Sequence, residues 1–400
     1  MNLAPLFVSN ARLSTAAFSP QSKEELQNTV NDCVSRDELG DCSTSTNFGP
    51  IGEWDVSSVT EMTHTFAGKA SFNADISKWN VERVTDMSKM FQGATAFDAD
   101  ISKWQVSSTT KMMWMFSDAT FFDADISNWN VARVTDMRNM FGGATSFDAD
   151  ISKWNVARVT NMELMFSRAM HFNADISKWN VERVTDTSNM FGAAISFNAD
   201  ISKWNVARVI RMSYMFYDAA SFKADISKWN VAYVTHMSHM FSGAISFNVD
   251  ISKWNVARVV DMSSMFNGAT SFKQTLCPWV HSPAQKFDMF YGSSGSICAT
   301  TDCPKCGIDK FGQLSCCFRG GAWFKFCVNV KPSGSKLKHT WFEGTEACKN
   351  VVTTGDTTAA MASMTDSTHS HSCTQIHARA SMTHSFASLF ITLITNKTLY

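Results

Sequence analysis

The sequence predicts an α/β repeat solenoid, a right-handed coil of short parallel strands and short helical turns, with about nine repeats of 25 residues. Three observations predict it. Tryptophan recurs at Trp54, Trp79, Trp104, Trp129, Trp154, Trp179, Trp204, Trp229, Trp254 and Trp279, a step of 25 without a slip. Columns begun by Ile76, Phe72 and Phe66 keep the same step to Ile251, Phe272 and Phe266, and most methionines fall in the columns of Met87 and Met90. Within each repeat the apolar spacing changes from two to three and four, the mark of a strand followed by a helical turn.

The elements follow in order. Residues 1–21 read as a disordered N-terminus without the basic start, apolar core or cleavage site of a secretory signal. Residues 22–51 read as a helical cap: Ser22 and Glu25 have capping-box spacing, and Leu26, Val30 and Cys33 share one face. The array occupies 52–276. In Phe72-Asn73-Ala74-Asp75-Ile76-Ser77 alternate residues are apolar, which predicts a strand with Phe72, Ala74 and Ile76 inward. Trp79, Asn80 and Val81 make a corner, and Val84, Met87, Met90, Phe91 and Ala94 lie on one helical stripe. Elements this short bury nothing alone, so stacking on identical neighbours has to supply the core.

The composition excludes some functions. Of 400 residues, 44% are hydrophobic and 18% charged, as in a folded chain. A formal net charge of −1 provides no basic field, so no nucleic-acid partner is expected. No apolar run reaches the roughly eighteen residues of a transmembrane helix.

The unit Phe-Asn-x-Asp-Ile-Ser-x-Trp-Asn-Val-x-x-Val-Thr-x-Met-x-x-Met-Phe-x-x-Ala resembles the repeat of BspA-type leucine-rich-repeat surface proteins, also found in mycoplasma surface lipoproteins. The resemblance implies a leucine-rich-repeat-like solenoid outside the cell, used for adhesion or recognition, with no catalytic residues to carry over. It also implies a binding face on the exposed strand positions: Asn73, Asp75 and Ser77, then Asp98, Asp100, Asp123, Asp125, Asp148, Asp150, Asp175 and Asp200. Lys223, Lys273, Thr187 and Tyr233 depart from the consensus.

Cysteine usage divides the chain. Of 11 cysteines, none lies between Cys42 and Cys277. Cys33 and Cys42 suit a bridge over the first coil, and residues 277–350 read as a cysteine-rich module. Its disulfide candidates are Cys298, Cys303, Cys306, Cys316, Cys317, Cys327 and Cys348. The segments around Cys316-Cys317-Phe318 and Trp341-Phe342 resemble the cysteine-rich tails of secreted proteins of unicellular algae. A zinc site on Cys303 and Cys306 is the competing reading, but adjacent Cys316 and Cys317 are poor geometry for a tetrahedral site, so no metal is assigned there. Disulfides point to an oxidising compartment, hence an extracellular or cell-surface location. Residues 351–400 read as a Ser/Thr-rich flexible tail, with His369, His371, His377 and His384 in low-complexity context.

The Asp column of Asp75 raises calcium as a cofactor, since like charges one strand apart repel. The Lys column of Lys78, with Arg83 and its equivalents, balances that charge without a metal. The Trp and Met columns read as core, and His236 and His239 as solvent-facing helix residues. No nucleophile elbow, phosphate loop or paired-His motif occurs. The expected function is therefore non-enzymatic: a secreted or surface protein binding a protein or glycan through its exposed strand face. A wall or matrix component without a specific ligand is one alternative, and an enzyme sited in the cysteine-rich module is another.

Overall fold

The computed structural model describes residues 18–37, 39–43 and 48–298, and beyond them the backbone of short strands between Gly307–Ile308 and Ile376–Ala378. The chain divides into two compact units, Met1–Arg208 and Val209–Tyr400.

The first unit begins with helix α1, Lys23–Arg36. Ser22 caps it, its Oγ accepting from the Glu25 N–H at 3.1 Å, while Glu25 accepts from the Gln21 N–H at 2.8 Å. These bonds satisfy amides that a helix start leaves without partners. Leu26, Val30 and Cys33 are buried, the face the apolar spacing predicts. Cys33 is bridged to Cys42. Between them Gly40, at φ +81°, lies on the ring of Phe72, where a Cβ would come within 2.5 Å of Cδ2. Only glycine meets both conditions there.

Behind this cap the chain winds in coils joined by single parallel bridges, Glu61 to Asp86, Lys111, Asp136, Asn161 and Asp186 in turn. The N–H groups of Met87, Lys89, Phe91 and Gly93 donate to the carbonyls of Lys111, Met113, Met115 and Ser117 on the next coil. The amides of Met90, Gln92 and Ala94 instead close turns on Met87, Lys89 and Phe91. Two Phe columns fill the interior: Phe91 stacks on Phe97 at 3.8 Å within a coil and on Phe116 at 5.5 Å between coils. Each buried Phe contributes on the order of 1.5–3 kcal/mol. The indoles of Trp104, Trp129, Trp154 and Trp179 stack alongside at 6.4–6.5 Å.

The second unit uses the same chemistry. Met237, His239, Phe241 and Gly243 donate to Asp261, Ser263, Met265 and Asn267, and Phe216, Phe241, Phe266 and Phe290 stack at 5.5–5.6 Å. Its last coil is shorter, so Phe290 continues the ladder, and the Met262 amide reaches Gln285. That coil carries a 3-10 turn, Cys277–His281, and a bridge between Cys277 and Cys298. Gly295 lies on Phe272, where a Cβ would approach Cδ1 to 2.5 Å.

The predicted α/β solenoid of short strands and helical turns is therefore corrected. Among the described residues from 54 to 276 there is no strand and no helix, and α1 is the one long helix among the described residues. Two competing interactions explain this. The Asp98 amide is taken at 2.8 Å by the Asn73 side chain, and the Ser77 amide by Asp75 at 2.9 Å, so side chains occupy donors that a strand ladder needs. In the stretch expected to be helical, Lys89 and Gly93 have positive φ, and alternate amides leave the coil for its neighbour. Left-handed residues at every fourth position cannot propagate an α-helix. The apolar residues are buried as their spacing suggests, but turns bury them.

Candidate functional site

The residues of the predicted binding face sit on corners and turns, not on a strand, so binding through an exposed strand face is corrected. Asp75, Asp100, Asp125, Asp150, Asp175 and Asp200 each accept, at 2.9 Å, from the Ser N–H two residues on. Serine hydroxyl and amide bonds together hold these carboxyls below the ordinary range, and the neighbouring Lys78, Lys103, Lys153, Lys178 and Lys203 add to this. Asn73, Asp98, Asp123 and Asp148 form a second line in which each side-chain oxygen accepts from the amide one coil on, at 2.8–2.9 Å. Burial, and then Asp98 and Asp148, push the Asp123 carboxyl up. Among the described residues no three His, Cys, Asp or Glu side chains are grouped to hold a metal ion. An open depression of about 560 Å³ at Trp154 is lined by Lys153, Asn155, Lys178 and Asn180.

A different set of side chains stands on the turn face, where Asn139 alone of the set is buried and donates to Ser117 at 3.0 Å. The first left-handed residue of the turn face differs between adjacent coils: His64, Lys89, Trp114, Asn139, Leu164 and Asn189 in the first unit, Tyr214, His239, Ser264 and Asp288 in the second. Columns whose side chains fill the interior are nearly constant. This one changes at almost every step, although a bulky residue at positive φ costs about 1–2 kcal/mol. Lys89 lies over the Trp114 ring at 5.9 Å.

In the second unit this face becomes aromatic. Tyr214 and His239 stack at 4.6 Å with their planes 7° apart, and Tyr217 meets Tyr214 edge-on at 5.8 Å. Asp218 pushes the Tyr217 phenol up through its charge and a hydrogen bond. Ser238 donates to Ser213 at 3.1 Å, and Arg258 covers Tyr233 at 4.7 Å. Tyr214, Tyr233, Phe287 and Tyr291 remain exposed. His236 and His239, expected on a helix, lie on this turn face. The signal was present in the sequence as column variation, but alignment on the constant columns passes over it.

Fold and face together define a scaffold of stacked turns that displays variable side chains along one surface of each unit. The chain belongs to the family described as Mycoplasma protein of unknown function, DUF285, whose model matches residues 37–137, 120–226 and 199–300. This replaces the BspA-type leucine-rich-repeat resemblance, whose strands the coils lack. No curated protein and no solved structure matches the chain. No helix among the described residues is long and apolar enough to cross a membrane. Cys303, Cys306, Cys316, Cys317, Cys327 and Cys348 lie outside the described residues, and of the cysteine-rich module beyond Cys298, the alternative seat of an enzyme, only short strand backbone is described.

Proposed function

We propose that the protein is a non-enzymatic recognition protein at or outside the cell surface, which binds a protein or glycan partner through the variable turn face. One observation carries this reading. Side chains on left-handed backbone of the turn face vary from coil to coil, while the constant columns are those that fill the interior. A purely structural stack has no need of that variation or of its strain. The bridges Cys33–Cys42 and Cys277–Cys298 support an oxidising compartment.

The test uses the labelled full chain applied to intact cells of its own source. Trp114, Leu164, Tyr214 and His239 are replaced by Asn, the residue the same column carries at Asn139 and Asn189 and one that tolerates positive φ. Saturable binding by the parent and its loss in the variant, at unchanged melting temperature, is the expected result. Equal binding by both, or none by the parent, rejects the reading.

A further inference from the structure

The variable column of the second unit passes from rings to a small and then a charged side chain. Tyr214 and His239 place one aromatic ring per coil, 4.6 Å apart and nearly parallel. The next coil continues with the same backbone, Ser264 at φ 54° and then Asp288 at φ 48°, so their side chains leave the chain in the same sense as the rings. The order is therefore ring, ring, small hydroxyl, carboxylate. Coils one strand spacing apart put His239 and Asp288 about 9.6 Å apart along the column. That distance admits one further ring against the outer face of His239, with its far side within hydrogen-bond reach of the carboxylate.

We propose that this step over Ser264 is a subsite for one pyranose ring of a neutral glycan, an inference that rests on the recognition role above and names its ligand. The chemistry of the walls selects the class. The His239 face is a flat platform suited to the C–H face of a sugar, as aromatic faces carry negative charge that attracts polarised hydrogens. Asp288 accepts hydrogen bonds and is exposed, so it favours a hydroxyl-rich neutral ring, disfavours an anion and has no donor to meet on an unsubstituted aromatic ring. Ser263 and Asn267, on the coil of Ser264, are half-buried and supply further donors and acceptors beside the step. A few polar groups around an apolar platform is the usual composition of a small-ligand site.

The experiment titrates the full chain with glucose, galactose, N-acetylglucosamine, cellotetraose and chitotetraose, following saturation transfer to the sugar and the His239 ring resonances. At least one sugar binds with a millimolar or tighter Kd and shifts His239. Ser264→Tyr fills the step with a side chain the column already carries at Tyr214, and weakens that binding at least tenfold at unchanged melting temperature. Asp288→Asn keeps the shape and the left-handed backbone, and weakens binding severalfold. Binding by none of the five sugars, or a Kd unaltered by Ser264→Tyr, overturns the subsite. Attachment to cells separates this failure from that of the broader role. If Ser264→Tyr leaves sugar binding intact while the four-residue Asn variant still loses cell attachment, only the subsite falls.

Discussion

The indole N–H of Trp129 donates to the backbone carbonyl of Ile101 at 3.1 Å, across 28 residues of chain. The same bond recurs from Trp104 to Ile76, Trp154 to Ile126 and Trp179 to Ile151, at 3.1–3.2 Å. Each tryptophan thus joins its own coil to the corner of the preceding one, and its ring packs in a ladder that excludes water from the bond. Burial and cross-coil donation together favour tryptophan at these positions, while Trp279 at the end of the column is buried with no partner for its indole N–H among the described residues.

Trp129→Phe keeps a ring but removes one of the two donors to the Ile101 carbonyl, which retains the Trp104 N–H, and opens a small void. A loss of about 2–4 kcal/mol is expected. Chemical denaturation of the full chain measures it, and a loss below about 0.5 kcal/mol contradicts the assigned bond.

Two exchanges test the left-handed turn position. Ala193 has φ +56° where Gly68, Gly93 and Gly143 stand in equivalent coils. Ala193→Gly is expected to stabilise the chain and Gly93→Ala to destabilise it, each by about 1 kcal/mol. Opposite shifts in melting temperature are the readout.

The carboxylates respond to pH in two directions. Asp75, Asp100 and their equivalents have lowered folded values, so their contribution is full above the unfolded carboxylate range and is lost as pH falls through the folded values. A melting temperature that is level near neutrality and drops below about pH 4 is expected. Asp123 is raised by burial, so its ionised form opposes folding at neutral pH. Asp123→Asn keeps the acceptor for the Asp148 amide and matches Asn173 in the same line, and should stabilise by no more than about 0.5 kcal/mol at pH 7, since the carboxyl is only partly withdrawn from water and solvent screens it. The advantage should shrink as pH falls through the folded value of Asp123 and vanish below the unfolded carboxylate range; a pH-independent difference argues against this cause.

Protein taken from its own source should yield the peptide pairs Cys33–Cys42 and Cys277–Cys298 on non-reducing digestion. Replacing Cys277 and Cys298 by Ser, which frees a loop of 21 residues, should lower stability by about 3 kcal/mol. Recovery of both pairs as free thiols removes the support for an oxidising compartment.

Which residues lie inside was legible from spacing alone. A step of 25 brings like residues together, so Trp129, Ile126, Phe122 and Phe116 declare their columns before any coordinates exist, and the Ser22 cap and the Cys33–Cys42 bridge follow from local rules. The backbone that buries them was not legible. Apolar periods of two and of three to four fit strand and helix equally as well as chains of turns, and the choice falls to bonds between coils: Asn73 taking the Asp98 amide, and Lys89 reaching Met113 from a left-handed conformation. Those partners are distant in sequence and adjacent only after stacking. The candidate site divides along the same line. The changing column from His64 to Asp288 could be read as text, but the direction in which its side chains leave the chain follows from positive φ values that neighbouring coils impose. Local sequence cannot select a conformation that its own steric preferences oppose.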